Sequence, residues 1–296
     1  MMKKSPHSVR TFGVLSAAAL LALTACSNGD NGGNGAEDGE ADGESLTIAL
    51  FGEEPYSWID EETGDPTGAT IAVAEEIFGE RMGYDVDIVE EPEWGNLIPG
   101  LNAGQWDVVS AGMSINQERC AEAAFGEPEL VYTTAFLVDE GNAEGLETFE
   151  DLEDADLDVI ALSGAVESGW MDELGIDHDT VDNAQDGIDF VEGGAADVFA
   201  LTAASLEAMA GDIEGLEITD SFEHELSVGA HTFRPEDGEL VEEFNEHLAE
   251  LMDSGEYLQL VEEFGFSEDQ MPPNGLTAQE LCEEDPEELA EEYLED

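Results

Sequence analysis

Basic residues are almost missing from this 296-residue chain: six Lys and Arg stand against 75 Asp and Glu, for a formal net charge of −69. Three of the six, Lys3, Lys4 and Arg10, lie in the first ten residues, which leaves Arg81, Arg119 and Arg234 for all that follows. With nothing basic to meet phosphates, nucleic acid and anionic membrane surfaces are excluded as partners. Charge of one sign in this amount destabilises a compact chain by self-repulsion unless concentrated salt screens it over a few ångströms, which points to a halophile. In such a background a single Asp or Glu is weak functional evidence. A single arginine is strong evidence.

Catalytic signatures are also missing. There is no G-x-S-x-G, no H-E-x-x-H and no P-loop, and the dense glycine cluster falls in residues 27–44. The run "DADLDV" spaces carboxylates like a calcium loop from Asp154, but Val159 occupies the required glycine position and Ala165 the closing glutamate position. His178, His224, His231 and His247 fall in separate segments without ligand spacing and read as surface or strand-end histidines, so no metal and no cofactor are expected.

Long apolar runs are limited to one, Phe12 to Ala25, which is short of the roughly 20 residues that a membrane span needs. It follows a basic segment and closes on "LTAC". That is the pattern of a bacterial lipoprotein signal: residues 1–25 are expected to be removed and Cys26 to be lipidated, anchoring an extracytoplasmic domain to the cell membrane. Residues 26–44, rich in Gly, Asn, Asp and Glu, read as a flexible acidic tether. Of three cysteines, Cys120 and Cys282 remain. An exported compartment and their even number favour a disulfide, the alternative being two separate buried thiols.

From Ser45 onward, β-rich runs alternate with amphipathic helices. "SLTIALF", "DVDIVE", "WDVVSAG", "ELVYTTAFLV", "LDVIALSG", "ADVFALT" and "LSVGAHTFR" read as strands. "GATIAVAEEIFGERMG", "WGNLIPGLNAG", "AVESGWMDELG", "AQDGIDFVEGG", "AASLEAMAG" and two helices after residue 237 lie between or beyond them. Two α/β units, the second inserted in the first, predict lobe 1 at 45–137 plus 232–282, lobe 2 at 138–231, and an acidic tail at 283–296. Ligands in such sheets bind beyond the carboxyl ends of strands. The loops near 52–58, 91–95, 112–119 and 163–167 are therefore expected to converge, bringing Gly112 to the site.

The succession "LIPGLNAGQWDVVSAGMSINQERCAEAAFGEPEL" resembles the solute-binding proteins of polar amino-acid ABC importers, in which a strand ending in G-M-S/T-I is followed by x-x-E-R. The resemblance runs from about Leu46 to Cys282. Within that family, "EPYSW", "ERC", "ALSGAVESG", "DVFALTAASL" and "EEFGFSEDQMPPNGLTAQELC" are most similar to the ectoine/hydroxyectoine binders of compatible-solute importers. The resemblance implies a type II periplasmic-binding-protein fold, two α/β lobes joined by two hinge strands, that closes as a monomer on a small zwitterionic solute. It also implies delivery to a membrane permease energised by an ATPase.

It assigns roles as well. Arg119 matches the arginine that pairs with the ligand's carboxylate, a task suited to a planar guanidinium with two parallel donors. Tyr56 and Trp94 match aromatics that sandwich the ligand ring, where apolar burial and cation–π attraction act together. Glu53 matches an acid that accepts from the ligand's amidinium nitrogen. Ser114 stands where ectoine binders place a third aromatic and amino-acid binders a hydroxyl. Thr202 stands where amino-acid binders carry an aspartate for the α-ammonium. Ser163, Gly164, Ala165 and Val166 are expected to supply contacts from lobe 2 at a helix start. Arg81 and Arg234 are read as structural. The competing readings are a polar amino-acid binder and a dehydratase-type enzyme, which would need a proton-transfer group such as Glu53 or Glu167.

Overall fold

The computed structural model describes residues 44–141, 145–153 and 155–293. Cys26 and the segments read from sequence as signal and tether, through residue 43, lie outside them. Eight strands carry the architecture: β1 (Ser45–Leu50), β2 (Asp85–Glu90), β3 (Val108–Ser114), β4 (Leu130–Asp139), β5 (Val159–Leu162), β6 (Asp179–Val181), β7 (Val198–Thr202) and β8 (Phe222–Phe233). Their order across the sheet is β2-β1-β3-β8-β4-β7-β5-β6.

The sheet has two parallel halves. β1 runs parallel to β2 and β3, and β5 runs parallel to β7 and β6. Between them, β8 and β4 are antiparallel to their neighbours and to each other. β8 pairs with β3 through Gly229–Phe233, while β4 pairs with β7 through Thr134–Val138. The chain therefore crosses from one half to the other along two long strands. This is the mixed α/β arrangement, with two lobes and two crossing strands, that the type II fold requires.

The inner parallel strands β5 and β7 are nearly continuous apolar runs, as strands covered on both faces are. β5 is buried along its whole length, as is β7 up to Leu201. In the first half Ile48, Phe78, Phe233, Phe244 and Tyr257 pack together, with Phe78 stacked on Phe244 at 5.2 Å. In the second, Phe136, Phe149, Trp170 and Met171 form a separate cluster. Each fully buried side chain of this size contributes about 1.5–3 kcal/mol. The helix expected over 68–83 is α-helical at Ala69–Ala74 and continues as a π-helix over Glu75–Arg81.

The two arginines read as structural are ion-paired. Arg81 meets Glu76, Glu250 and Glu256, and Arg234 meets Asp107 and Asp237. His231 departs from the sequence reading: it is 1 % exposed within β8, its Nδ1 2.8 Å from Glu129 Oε1 and its Nε2 2.9 Å from Ser110 Oγ. Those contacts tie β3 and the approach to β4 onto β8. Cys120 and Cys282 form a disulfide with Cα atoms 5.7 Å apart, joining the helical turn Gln117–Cys120 to the helix Ala278–Glu283. The acidic run beyond it is folded rather than trailing: Pro286–Tyr293 is a helix whose Leu289, 2 % exposed, enters the apolar core. No helix among the described residues is long and apolar enough to cross a membrane.

Candidate functional site

The site begins with a glycine. Gly112, in β3, has φ +64°, and a Cβ there would lie 2.8 Å from Tyr132 Oη and 3.1 Å from Tyr56 Cδ1. Only a glycine lets the two rings lie against this strand. Tyr56 is delivered by the loop after β1, which is fixed by Ser57 Oγ donating to Phe51 O at 2.8 Å and Glu53 N donating to Ser57 O at 2.8 Å. The two tyrosine rings meet edge to face at 5.0 Å.

Arg119 follows β3 by a short turn. Asn116 Oδ1 accepts from Arg119 N at 2.8 Å, capping the helical turn and setting where the side chain leaves it. Arg119 is 9 % exposed, and its Nη1 donates to Ser114 O at 2.8 Å while Nη2 donates to Gly164 O at 2.9 Å. Its Cζ lies 5.6 Å from the centre of the Trp94 ring, within cation–π range. Burial lowers its pKa to about 10, so it stays protonated at neutral pH. Trp94 leans edge-on against Phe51 at 5.2 Å, and its Nε1 donates to Gly164 O at 3.2 Å. Gly164 follows β5 with φ +78°, and its one carbonyl receives both Arg119 and Trp94 from the other half of the sheet.

Two carboxylates face the same space. Glu53 is 6 % exposed and accepts from Ser205 Oγ at 2.5 Å; that hydroxyl in turn receives Thr202 Oγ1 at 2.9 Å. Glu167, in the first turn of the helix Val166–Leu174, is 2 % exposed, and among the described residues its Oε1 has no hydrogen-bond partner. Burial raises the pKa of each to about 7. For Glu53 the Ser205 bond opposes burial and the charge of Glu167 adds to it. For Glu167 its own backbone N–H, the Arg119 charge and the Thr134 hydroxyl oppose it.

Of the residues singled out from sequence, Glu53, Tyr56, Trp94, Gly112, Ser114, Arg119, Ala165, Val166 and Thr202 line one cavity of about 30 Å³. Gly164 is not in the lining, but its carbonyl accepts from Arg119 and Trp94, which are. Ser163 is not in the lining and gives its N–H to Val181 O at 2.9 Å. Ser114 lines the cavity, but its hydroxyl sits 2.9 Å from Ser227 Oγ. Tyr132 and Glu167 also line it, with the apolar Ala111, Leu162 and Leu201. Tyr132 had no signal beyond its place on a crossing strand, and Glu167 stood out only as a proton-transfer group for an enzyme. A volume of 30 Å³ holds about one water, too little for an organic solute in this arrangement of the lining. A groove of about 930 Å³, walled by Trp94, Arg119, Trp170 and Glu225, lies beside these contacts.

The chain is 29 % identical over 250 residues to a probable amino-acid ABC transporter periplasmic-binding protein of Sinorhizobium fredii, covering 80 % of this chain and 82 % of that one. It is 25 % identical over 248 residues to the arginine-binding extracellular protein ArtP of Bacillus subtilis, covering 82 % and 92 %. Among solved structures, EhuB in complex with hydroxyectoine is similar, with TM-score 0.73 and 31 % identity over 81 % of this chain and 95 % of the other. Holo ArgBP from T. maritima gives TM-score 0.64 and 26 % identity over 70 % and 90 %. The model of bacterial extracellular solute-binding proteins, family 3, matches residues 46–268, and with that match the chain belongs to this family of ABC-transporter binding proteins.

Proposed function

We propose that the protein is an extracytoplasmic receptor anchored through lipidated Cys26, and that it captures ectoine or hydroxyectoine for an ABC permease. The observation that carries this reading is one cavity whose lining brings together Arg119, Glu53 and Glu167 with the rings of Tyr56 and Trp94. A zwitterion with a delocalised cation matches it group for group. Its carboxylate takes the two guanidinium N–H groups that now reach Ser114 O and Gly164 O, its ring lies against the aromatics, and its amidinium N–H donates to Glu53. Capture occurs as lobe 2 (138–231) closes on lobe 1 (45–137 and 232–282) about β4 and β8. The likeness to EhuB holding hydroxyectoine supports the choice of solute.

A second reading is a cationic amino acid. Ser114 brings no third aromatic, and two buried carboxylates suit a solute with two positive groups, as in the arginine-binding relatives. Calorimetry of the purified protein in concentrated salt with ectoine, hydroxyectoine, arginine, glutamine and glutamate separates the two. Saturable heat from ectoine is expected, and heat from an amino acid alone would replace the first reading by the second.

A further inference from the structure

Tyr132 is 5 % exposed and lines the cavity with Arg119, Gly112 and Tyr56, yet among the described residues its Oη has no hydrogen-bond partner. Its place is set by backbone. From β4 the side chain reaches across β8 to β3: a Cβ on Gly229 would overlap the phenol, its three nearest atoms all belonging to Tyr132, and a Cβ on Gly112 would lie 2.8 Å from the same Oη. Gly229 pairs with Leu130 of β4 on one side and with Ser114 of β3 on the other. Two glycines on two strands therefore bring the phenol oxygen to the end of β3, where Ser114 O takes Arg119 Nη1. A phenylalanine would fill the same space, and a buried donor without an acceptor costs stability. The hydroxyl is the part of this side chain that packing does not explain.

We propose that Tyr132 donates its hydroxyl hydrogen bond to the carboxylate of the captured solute, as a third donor beside the two of Arg119. This rests on the reading of the cavity as a receptor for a small solute that carries both a carboxylate and a cationic group. In ectoine and in arginine alike the cationic groups offer only N–H donors, so the carboxylate oxygens are the acceptors that a phenol can meet. Two guanidinium hydrogen bonds leave further lone pairs on those oxygens, and a neutral O–H satisfies one of them without adding charge to the cavity. Burial pushes the phenol well above its ordinary pKa, so it keeps its proton and remains a donor at neutral pH.

The test is Tyr132→Phe, which removes the oxygen and keeps the ring. Calorimetry of the whole protein in concentrated salt, with ectoine and with arginine as probes, should give a Kd about 10- to 100-fold above the parent's for a probe that the parent binds, the range for one hydrogen bond to a charged acceptor. Denaturant melts without solute should show the variant no less stable than the parent, because the hydroxyl has no partner to lose. Tyr257→Phe is the control: its Oη is also buried without a partner among the described residues but stands outside the cavity lining, so its Kd should stay within about twofold. The infrared stretch of a saturating solute, isotope-labelled at its carboxyl carbon, should shift between the parent and Tyr132→Phe. A Kd within about threefold of the parent's, an unshifted carboxylate stretch, or a stability that falls together with affinity would overturn the proposal while leaving the solute-binding reading intact. Failure of both probes to bind the parent would overturn that reading and this proposal with it.

Discussion

Replacing Arg119 by lysine tests the carboxylate clamp without removing its charge. The guanidinium donates from two nitrogens in one plane, at 2.8 and 2.9 Å, and lies over Trp94 at 5.6 Å. A lysine ammonium keeps one strong donor but cannot present two parallel ones or stack on the ring. Losing one hydrogen bond to a charged acceptor costs about 1.5–3 kcal/mol and losing the ring contact about 0.5–1, together about 2–4 kcal/mol. That is a rise in Kd of about 30- to 1000-fold. The assay is calorimetry with ectoine in concentrated salt, with thermal melting to establish that the variant is folded. Arg81→Lys is the control: its partners Glu250 and Glu256 are exposed, and pairs of that kind contribute little, so its Kd should stay within about twofold. A folded Arg119→Lys protein that binds within about threefold of the parent would remove Arg119 from the site.

Three further outcomes follow from the same geometry. Gly112→Ala forces a side chain into positive φ and to 2.8 Å from Tyr132 Oη, so it should lower stability by about 1–3 kcal/mol in denaturant unfolding and weaken solute binding; an unchanged midpoint would mean the tyrosines do not rest on this strand. Glu167 has a folded-state pKa of about 7 against an ordinary 4.5, so the folded protein binds more protons between those values and stability falls as pH rises through that window. Glu167→Gln should therefore be more stable than the parent above pH 7, by up to about 3 kcal/mol in the absence of solute, and no more stable below pH 4.5. The Cys120–Cys282 disulfide closes a loop with sequence separation 162, and its removal by Cys282→Ser should lower unfolding free energy by up to about 5 kcal/mol, read in denaturant melts.

The order of strands and helices was legible because the apolar period changes cleanly between β-like runs and helical ones, and the crossing strands were legible from the long run "ELVYTTAFLV" and the return "LSVGAHTFR". Arg119 was legible for the opposite reason, scarcity: with so few basic residues, one placed after a strand end has few uses. The same composition hid Glu167. Among 75 acidic residues nothing in the sequence separates a carboxylate sealed in a cavity from one in solvent, since the burial of Glu167 is decided by which residues distant in the chain, such as Arg119 and Glu53, share its cavity. His231 was misplaced because a histidine between Ala230 and Thr232 in a strand looks the same whether it ends the strand or is held inside by a distant Glu129 and Ser110. The helix at Pro286–Tyr293 was hidden in the same way, its apolar contacts Leu289, Ala290 and Tyr293 standing among glutamates.

A crystal structure of the protein with ectoine bound tests the site most directly. The expected result is the solute carboxylate within hydrogen-bond distance of both Arg119 terminal nitrogens, its ring between Tyr56 and Trp94, and Gly164 O displaced from its present 2.9 Å contact. A solute carboxylate bound elsewhere, with the Arg119 to Gly164 contact intact, would contradict it.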